Sequence, residues 1–193
     1  MTYQTIQPPF TLVFHEMSKK ELRDYRQWFL GAIPERIKIL SEAVKSTSGF
    51  ENWEPDTTPE SLEPLGEWFF AQVETRRRTK AEIDSVFAGS SFGIEVPDWE
   101  LSNKTFSLAI DIGMYLGQVL VRNHPSLRWI QRFDSKKSID YGQPVLIGFG
   151  AMEFNPLQIL VTLAYGFARK SKTGRRLREI YDCWSGRVIK GKA

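Results

Sequence analysis

Cysteine is almost missing from this chain: 193 residues hold one, Cys183. A single cysteine excludes an internal disulfide framework and a cysteine-based zinc cluster. Histidine is nearly as scarce, with only His15 and His124. No two of these three residues stand at metal-ligand spacing, so no metal site is expected. The phosphate loop G-x-x-x-x-G-K-[ST] and the dinucleotide fingerprint G-x-G-x-x-G are also missing. Their absence argues against the ordinary nucleotide-dependent enzymes, and no cofactor is expected. The opening MTYQTIQPPFTLVF has no positive stretch and is broken by Pro8 and Pro9, so it does not read as an export signal. Long apolar runs are lacking too. Residues 105–121 contain only Asp111 as a charge but fall about a turn short of the ~20 residues that span a bilayer. Residues 144–168 contain only Glu153 but are interrupted by Gly148, Gly150 and Pro156. The expectation is therefore no membrane partner and a cytoplasmic protein.

What is present is unevenly spread. Residues 46–75 have no Lys or Arg against seven Asp or Glu, whereas residues 169–193 carry nine Lys or Arg against Glu179 and Asp182. The end is thus +7 and the rest −4, within a chain of formal charge +3. Apolar and charged fractions of 41% and 25% are those of a globular chain. One domain over 1–184 is expected, followed by a basic, flexible tail over 185–193.

Hydrophobic spacing gives a coarse map. FTLVF at 10–14 reads as a short strand. Ser18 and Glu21 form a capping-box pattern ahead of Leu22, Tyr25, Trp28 and Phe29. Gly31 should end that helix, and Pro34 should open a second one carrying Ile37, Leu40 and Val44. Residues 46–58 read as a loop, and Thr58–Pro59 opens a third helix whose regular part starts near Pro64. The charged run 74–84 reads as the exposed end of that helix or a helical connection, closing a helical first half over 18–84, and 88–104 reads as a loop. Residues 105–122 are apolar nearly all round, which marks a central, covered helix. Strands are expected at 127–133 and 144–149, with a turn-like connection between them. Asn155–Pro156 should start a helix to about Phe167, and a basic helix should run from Thr173 to Trp184. The predicted fold is α+β, mainly helical, with a small antiparallel sheet packed on the helix 105–122 inside an α/β second half, 105–184.

Gly113 and Gly117 lie four apart and share one helix face, leaving a groove for a close neighbour or a ligand. Asp111 stands alone among apolar neighbours, so it needs a cation or several donors, and Arg122, Arg128 and Arg132 are nearest in sequence. A structural ion pair is the plainer role for it, a ligand-anchoring or raised-pKa acid the sharper one. Gly89–Gly93 (GSSFG) matches the nucleophile pattern G-x-S-x-G. However, Pro97 and Asp98 follow where a helix is required, and only His124 lies downstream. No catalytic residue is assigned. Trp53 and Trp99 fall in expected loops and are candidates for exposed, ligand-contacting aromatics. Arg175, Arg176 and Arg178 form a basic cluster that would contact phosphates, with Tyr181 or Trp184 to stack on a base. The plainer role for it is a solvated face balancing the acidic stretch.

The run LAIDIGMYLGQVLV, SLRWIQRFD, PVLIGF and FNPLQILV over 108–161 resembles uncharacterised bacterial domain-of-unknown-function families. Their pattern is a G-x-x-x-G helix, a strand with Trp, a second strand and a Pro-led helix. The matching positions are Gly113, Gly117, Trp129, Asp134 and Pro156. Some such domains occur in small bacterial proteins encoded near toxins, so the resemblance implies an accessory or immunity-like role and no catalytic residue. The leading expectation is a non-catalytic protein-binding domain. A nucleic-acid-binding protein using 169–192 is the alternative, and an enzyme with a carboxylate site, such as Asp111 with Glu153, is the third.

Overall fold

The computed structural model describes the backbone of residues 3–88 and 97–188 and the side chains of 3–84 and 97–188. An N-terminal strap without regular structure leads into α1 (Lys19–Lys45). A 3₁₀ turn (Pro59–Ser61) follows, then α2 (Leu62–Gln72), β1 (Thr75–Arg77) and α3 (Lys80–Ala88). Next come β2 (Trp99–Leu101), α4 (Asn103–Asn123), β3 (Arg128–Gln131) and β4 (Pro144–Phe149). The described part closes with β5 (Met152–Phe154), α5 (Pro156–Ala168) and α6 (Arg176–Ser185). The fold is α+β and mainly helical, with antiparallel sheets β1-β2 and β3-β4-β5 packed on helices.

α4 is the axis. Thirteen of its residues are buried, among them Tyr115, Ile112, Met114 and Leu116, as expected of a helix apolar nearly all round. Ser102 caps it, accepting from the Thr105 N–H at 3.2 Å. α5 lies along α4 and starts where expected: the Asn155 side chain accepts from the N–H groups of Leu157 and Gln158, and Pro156 takes the first helical position. β3 and β4 pair from Arg128↔Ile147 to Gln131↔Pro144. β5 follows β4 through a tight turn at Gly150–Ala151 and is an extra strand that the map of 144–168 did not include.

Several expectations are corrected. Residues 10–14 form no strand; Phe10 and Phe14 pack their rings edge-on to Tyr25 at 5.5 and 5.1 Å instead. Gly31 and Pro34 do not divide a helix pair. α1 runs through both for 27 residues, with its Ser18–Glu21 capping box formed. Pro34 removes one internal hydrogen bond. Phe29 and Ile33 on one side of it are buried in one hydrophobic cluster and Leu40 on the other side in a second, and both clusters include residues of α4, so each half is fastened by its own packing. Packing outweighs the local breaker. Residues 75–77 and 99–101 are strands, not a helix end and a loop. Their ladder is cross-linked by charge: Arg78 meets Glu100 at 3.1 Å, and Arg76 meets both Glu100 and Glu82. Beyond α6, Val188 still packs against the core.

Candidate functional site

The strap is held by the most buried charge among the described residues. Asp111 has no exposed surface and lies against Arg36 of α1, whose Nε and Nη2 donate to its two oxygens at 2.8 and 2.7 Å. The Tyr3 hydroxyl donates to the same carboxylate. Arg36 also donates to the Tyr3 oxygen at 3.0 Å and to the Gln4 carbonyl at 2.9 Å. Ser107, one turn before Asp111, accepts from the Ile6 N–H at 2.7 Å and shares a bond with the Tyr3 hydroxyl at 2.8 Å. Burial pushes the Asp111 carboxyl up, and the hydrogen bonds and charge of Arg36 pull against it. Burial likewise drives the Tyr3 phenol far above its ordinary range, with the Asp111 charge adding to the effect. The arrangement is a bidentate, charge-assisted pair with its remaining lone pairs satisfied. The partner is therefore Arg36, 75 positions away, and not Arg122, Arg128 or Arg132. Arg132 instead pairs with Glu153 at 2.5 Å, so Asp111 and Glu153 are engaged by different arginines.

Beneath the strap lies a groove of about 450 Å³. It has three walls. Tyr25, Trp28 and Phe29 come from α1, and Phe106, Ser107, Ile110 and Met114 line the α4 side with Asn103 at its start. The strap supplies Thr5 to Pro8 and Leu12. None of the described residues that line it carries a charged side chain. Burial holds the Tyr25 phenol far above its usual range, so it stays neutral. Leu12 adopts a φ of +60° and is 41% exposed, with Val13 exposed beside it. A leucine in the left-handed region is strained, and such strain collects at functional segments. The volume and the apolar wall with a few polar groups are those of a ligand site.

The other residues singled out in the sequence take different places. Gly113 and Gly117 do face a neighbour closely. A methyl group on Gly113 would come within 3.1 Å of Leu157 and Pro156, and one on Gly117 within 2.3 Å of the Trp129 ring. The space beside them is filled by α5 and β3 and does not belong to the groove. Trp53 is not exposed. It is 5% accessible, donates its indole N–H to the Ser61 carbonyl at 2.9 Å and packs edge-on to Tyr115. Trp99 sits in β2, half-buried, against Tyr165 and with the Arg169 guanidinium 5.9 Å from its ring. The GSSFG segment and the residues after Val188 lie outside the described residues.

The acidic and basic regions meet in part. α6 packs on α2, and Arg178 reaches Glu60 at 3.4 Å and Asp182 at 2.9 Å. Arg176 pairs with Glu179, while Lys45 and Lys104 take up Glu54 and Glu74. Two of the three arginines proposed for phosphate contact are thus engaged by carboxylates, and Arg175 lines a cleft with Glu63 and Glu67. Exposed pairs of this kind contribute little, about 0–1 kcal/mol each. His124 is the residue that closes the C-terminal end of α4. There it shares a hydrogen bond with Ser185, and burial pushes its pKa down.

The groove itself was not foreseen. Its α4 wall follows the helical spacing 103, 106/107, 110 and 114, and its α1 wall the spacing 25, 28/29. Both patterns read in the sequence as ordinary core faces. Only the coil at 5–12, which lies over them without filling them, turns those faces into a cavity. No protein-family model matches the chain, and neither does any curated protein or solved structure.

Proposed function

We propose that this chain is a non-catalytic binding protein that takes an apolar group into the groove between α1 and α4 and works with a protein partner. The observation that carries this reading is the groove: aromatic walls, polar residues that are all uncharged among those described, and a volume of about 450 Å³. Aromatic side chains supply the largest binding energies per residue at such sites. The engagement of Asp111 by Arg36 and of Glu153 by Arg132 supports a binding role over acid–base chemistry. Exposed Leu12 and Val13 offer a partner protein an apolar contact at the groove's edge. The resemblance of 108–161 to bacterial domains of unknown function adds the accessory or immunity-like role.

The test is binding of the neutral, environment-sensitive dye N-phenyl-1-naphthylamine. Saturable binding at one dye per chain is expected. Ile110→Trp, which fills the groove from α4, should weaken it at least tenfold while the protein stays folded by circular dichroism. Absence of saturable binding, or equal binding by the filled variant, overturns the reading. The partner is tested separately by a photo-crosslinking residue at position 13, which should give one discrete adduct in the native cell. No adduct there removes the protein partner.

A further inference from the structure

We infer that the groove's ligand is a neutral amphiphile with a single unbranched alkyl chain, the class of long-chain alcohols and monoacylglycerols. The inference rests on the reading that the groove is a binding site, and adds what the site selects.

Charge comes first. None of the described lining side chains is ionised, and the nearest buried ions among the described residues, Arg36 and Asp111, are satisfied by each other, by Tyr3 and by the Gln4 carbonyl. A carboxylate or ammonium at the groove's polar end would give up part of its hydration for no ion pair, which is unfavourable relative to a neutral head group. Polarity comes next, and it is graded along α4. Asn103 and Ser107 stand at one end with the Phe106 ring between them, and Ile110 and Met114, both apolar, follow. The bond from the Ile6 N–H to Ser107 places Thr5 and Gln7 of the strap at that same polar end. Ser107 is used by the strap, and the Gln7 amide donates to Thr5. Asn103 makes no side-chain hydrogen bond among the described residues and is exposed, so its amide is free for a neutral head group.

Length and backbone chemistry separate an alkyl chain from a peptide. From Asn103 to Met114 is eleven residues of helix, or about 16 Å at 1.5 Å per residue. That is longer than any one amino-acid side chain. An extended peptide lying there would bring N–H and C=O groups into the stretch around Phe106, Ile110 and Met114, where they would go unpaired. An alkyl chain has no such groups. Trp28 and Phe29 give it flat apolar walls.

The experiment uses the full chain loaded with N-phenyl-1-naphthylamine and competes the dye with octanol, decanol, dodecanol and dodecanoate at pH 8. Each added methylene should raise the alcohol's affinity about fourfold until the chain outruns the groove. Dodecanoate should compete at least tenfold more weakly than dodecanol. Asn103→Lys should narrow or reverse that preference by placing a cation at the polar end. Potency independent of chain length, or dodecanoate equal to dodecanol, overturns the assignment of ligand class. An unchanged preference in Asn103→Lys overturns the placement of the head group. A dye that never binds removes the groove reading itself, whereas a dye that binds and follows neither chain length nor charge removes only this inference.

Discussion

Replacing Asp111 by Asn preserves shape and removes the charge that Arg36 was folded around. In the native protein two guanidinium bonds and the Tyr3 hydroxyl converge on a carboxylate with no exposed surface. An asparagine oxygen can accept one of the guanidinium bonds, but its NH₂ group would face the other donor. Arg36, 7% exposed, then keeps its charge with only neutral acceptors, the asparagine oxygen, Tyr3 and the Gln4 carbonyl. Breaking one side of a buried pair costs about 3–5 kcal/mol. For a chain of this length that lowers Tm by roughly 10 °C. Tyr3→Phe removes only the strap's bonds and should cost about 1–2 kcal/mol. Its effect should be confined to the strap in hydrogen exchange, with Ile6 losing protection first. The double variant Arg36→Met/Asp111→Leu removes both charges and should recover most of the loss, since an apolar pair of similar volume is tolerated where a half-pair is not. Urea denaturation followed by circular dichroism measures all three. An Asp111→Asn loss below about 1 kcal/mol would refute the reasoning, as would a double variant no better than the single one.

Two glycines should respond in opposite directions to the same methyl group. Gly117→Ala drives a carbon to within 2.3 Å of the Trp129 ring and should destabilise by about 1–3 kcal/mol with a changed Trp emission. Gly31→Ala meets nothing within 4 Å in mid-helix and should stabilise by about 0.5–1 kcal/mol, both read from denaturant midpoints. Glu82 closes a capping box with Thr79 and bonds Arg76; the Arg76 bond and the Thr79 N–H hold its carboxyl down at about 2. A depressed folded pKa means that its contribution is present above the ordinary carboxylate range and is lost as pH falls toward 2. Carboxyl NMR should show Glu82 titrating near 2, and in Arg76→Met its pKa should rise. A Glu82 pKa in the ordinary range in the native protein would show that the Arg76 and Thr79 bonds are not formed in solution.

The local signals were legible wherever one residue and its near neighbours settle the matter. Ser18 with Glu21 starts α1, Asn155–Pro156 starts α5, and the apolar circumference of 105–122 places α4 at the centre of the fold. The strand at 144–149 was legible for the same reason, as Pro144 stands where no ladder donor is needed. Other features depend on which distant surfaces meet. Pro34 breaks a helix in isolation, yet α1 continues because both of its halves bury side chains in the core. Trp53 lies in a loop that sequence leaves exposed, until Ser61 and Tyr115 enclose it. The need of Asp111 for a cation follows from its apolar surroundings alone. That the cation is Arg36 does not, because a partner 75 positions away is fixed by how α1 crosses α4. The sequence by itself therefore determined where α1 and α5 start, the central position of α4 and the demand of a buried carboxylate. Only the tertiary structure decided what answers that demand and where the strap runs. A cavity is space between elements, and no periodicity within one element encodes it.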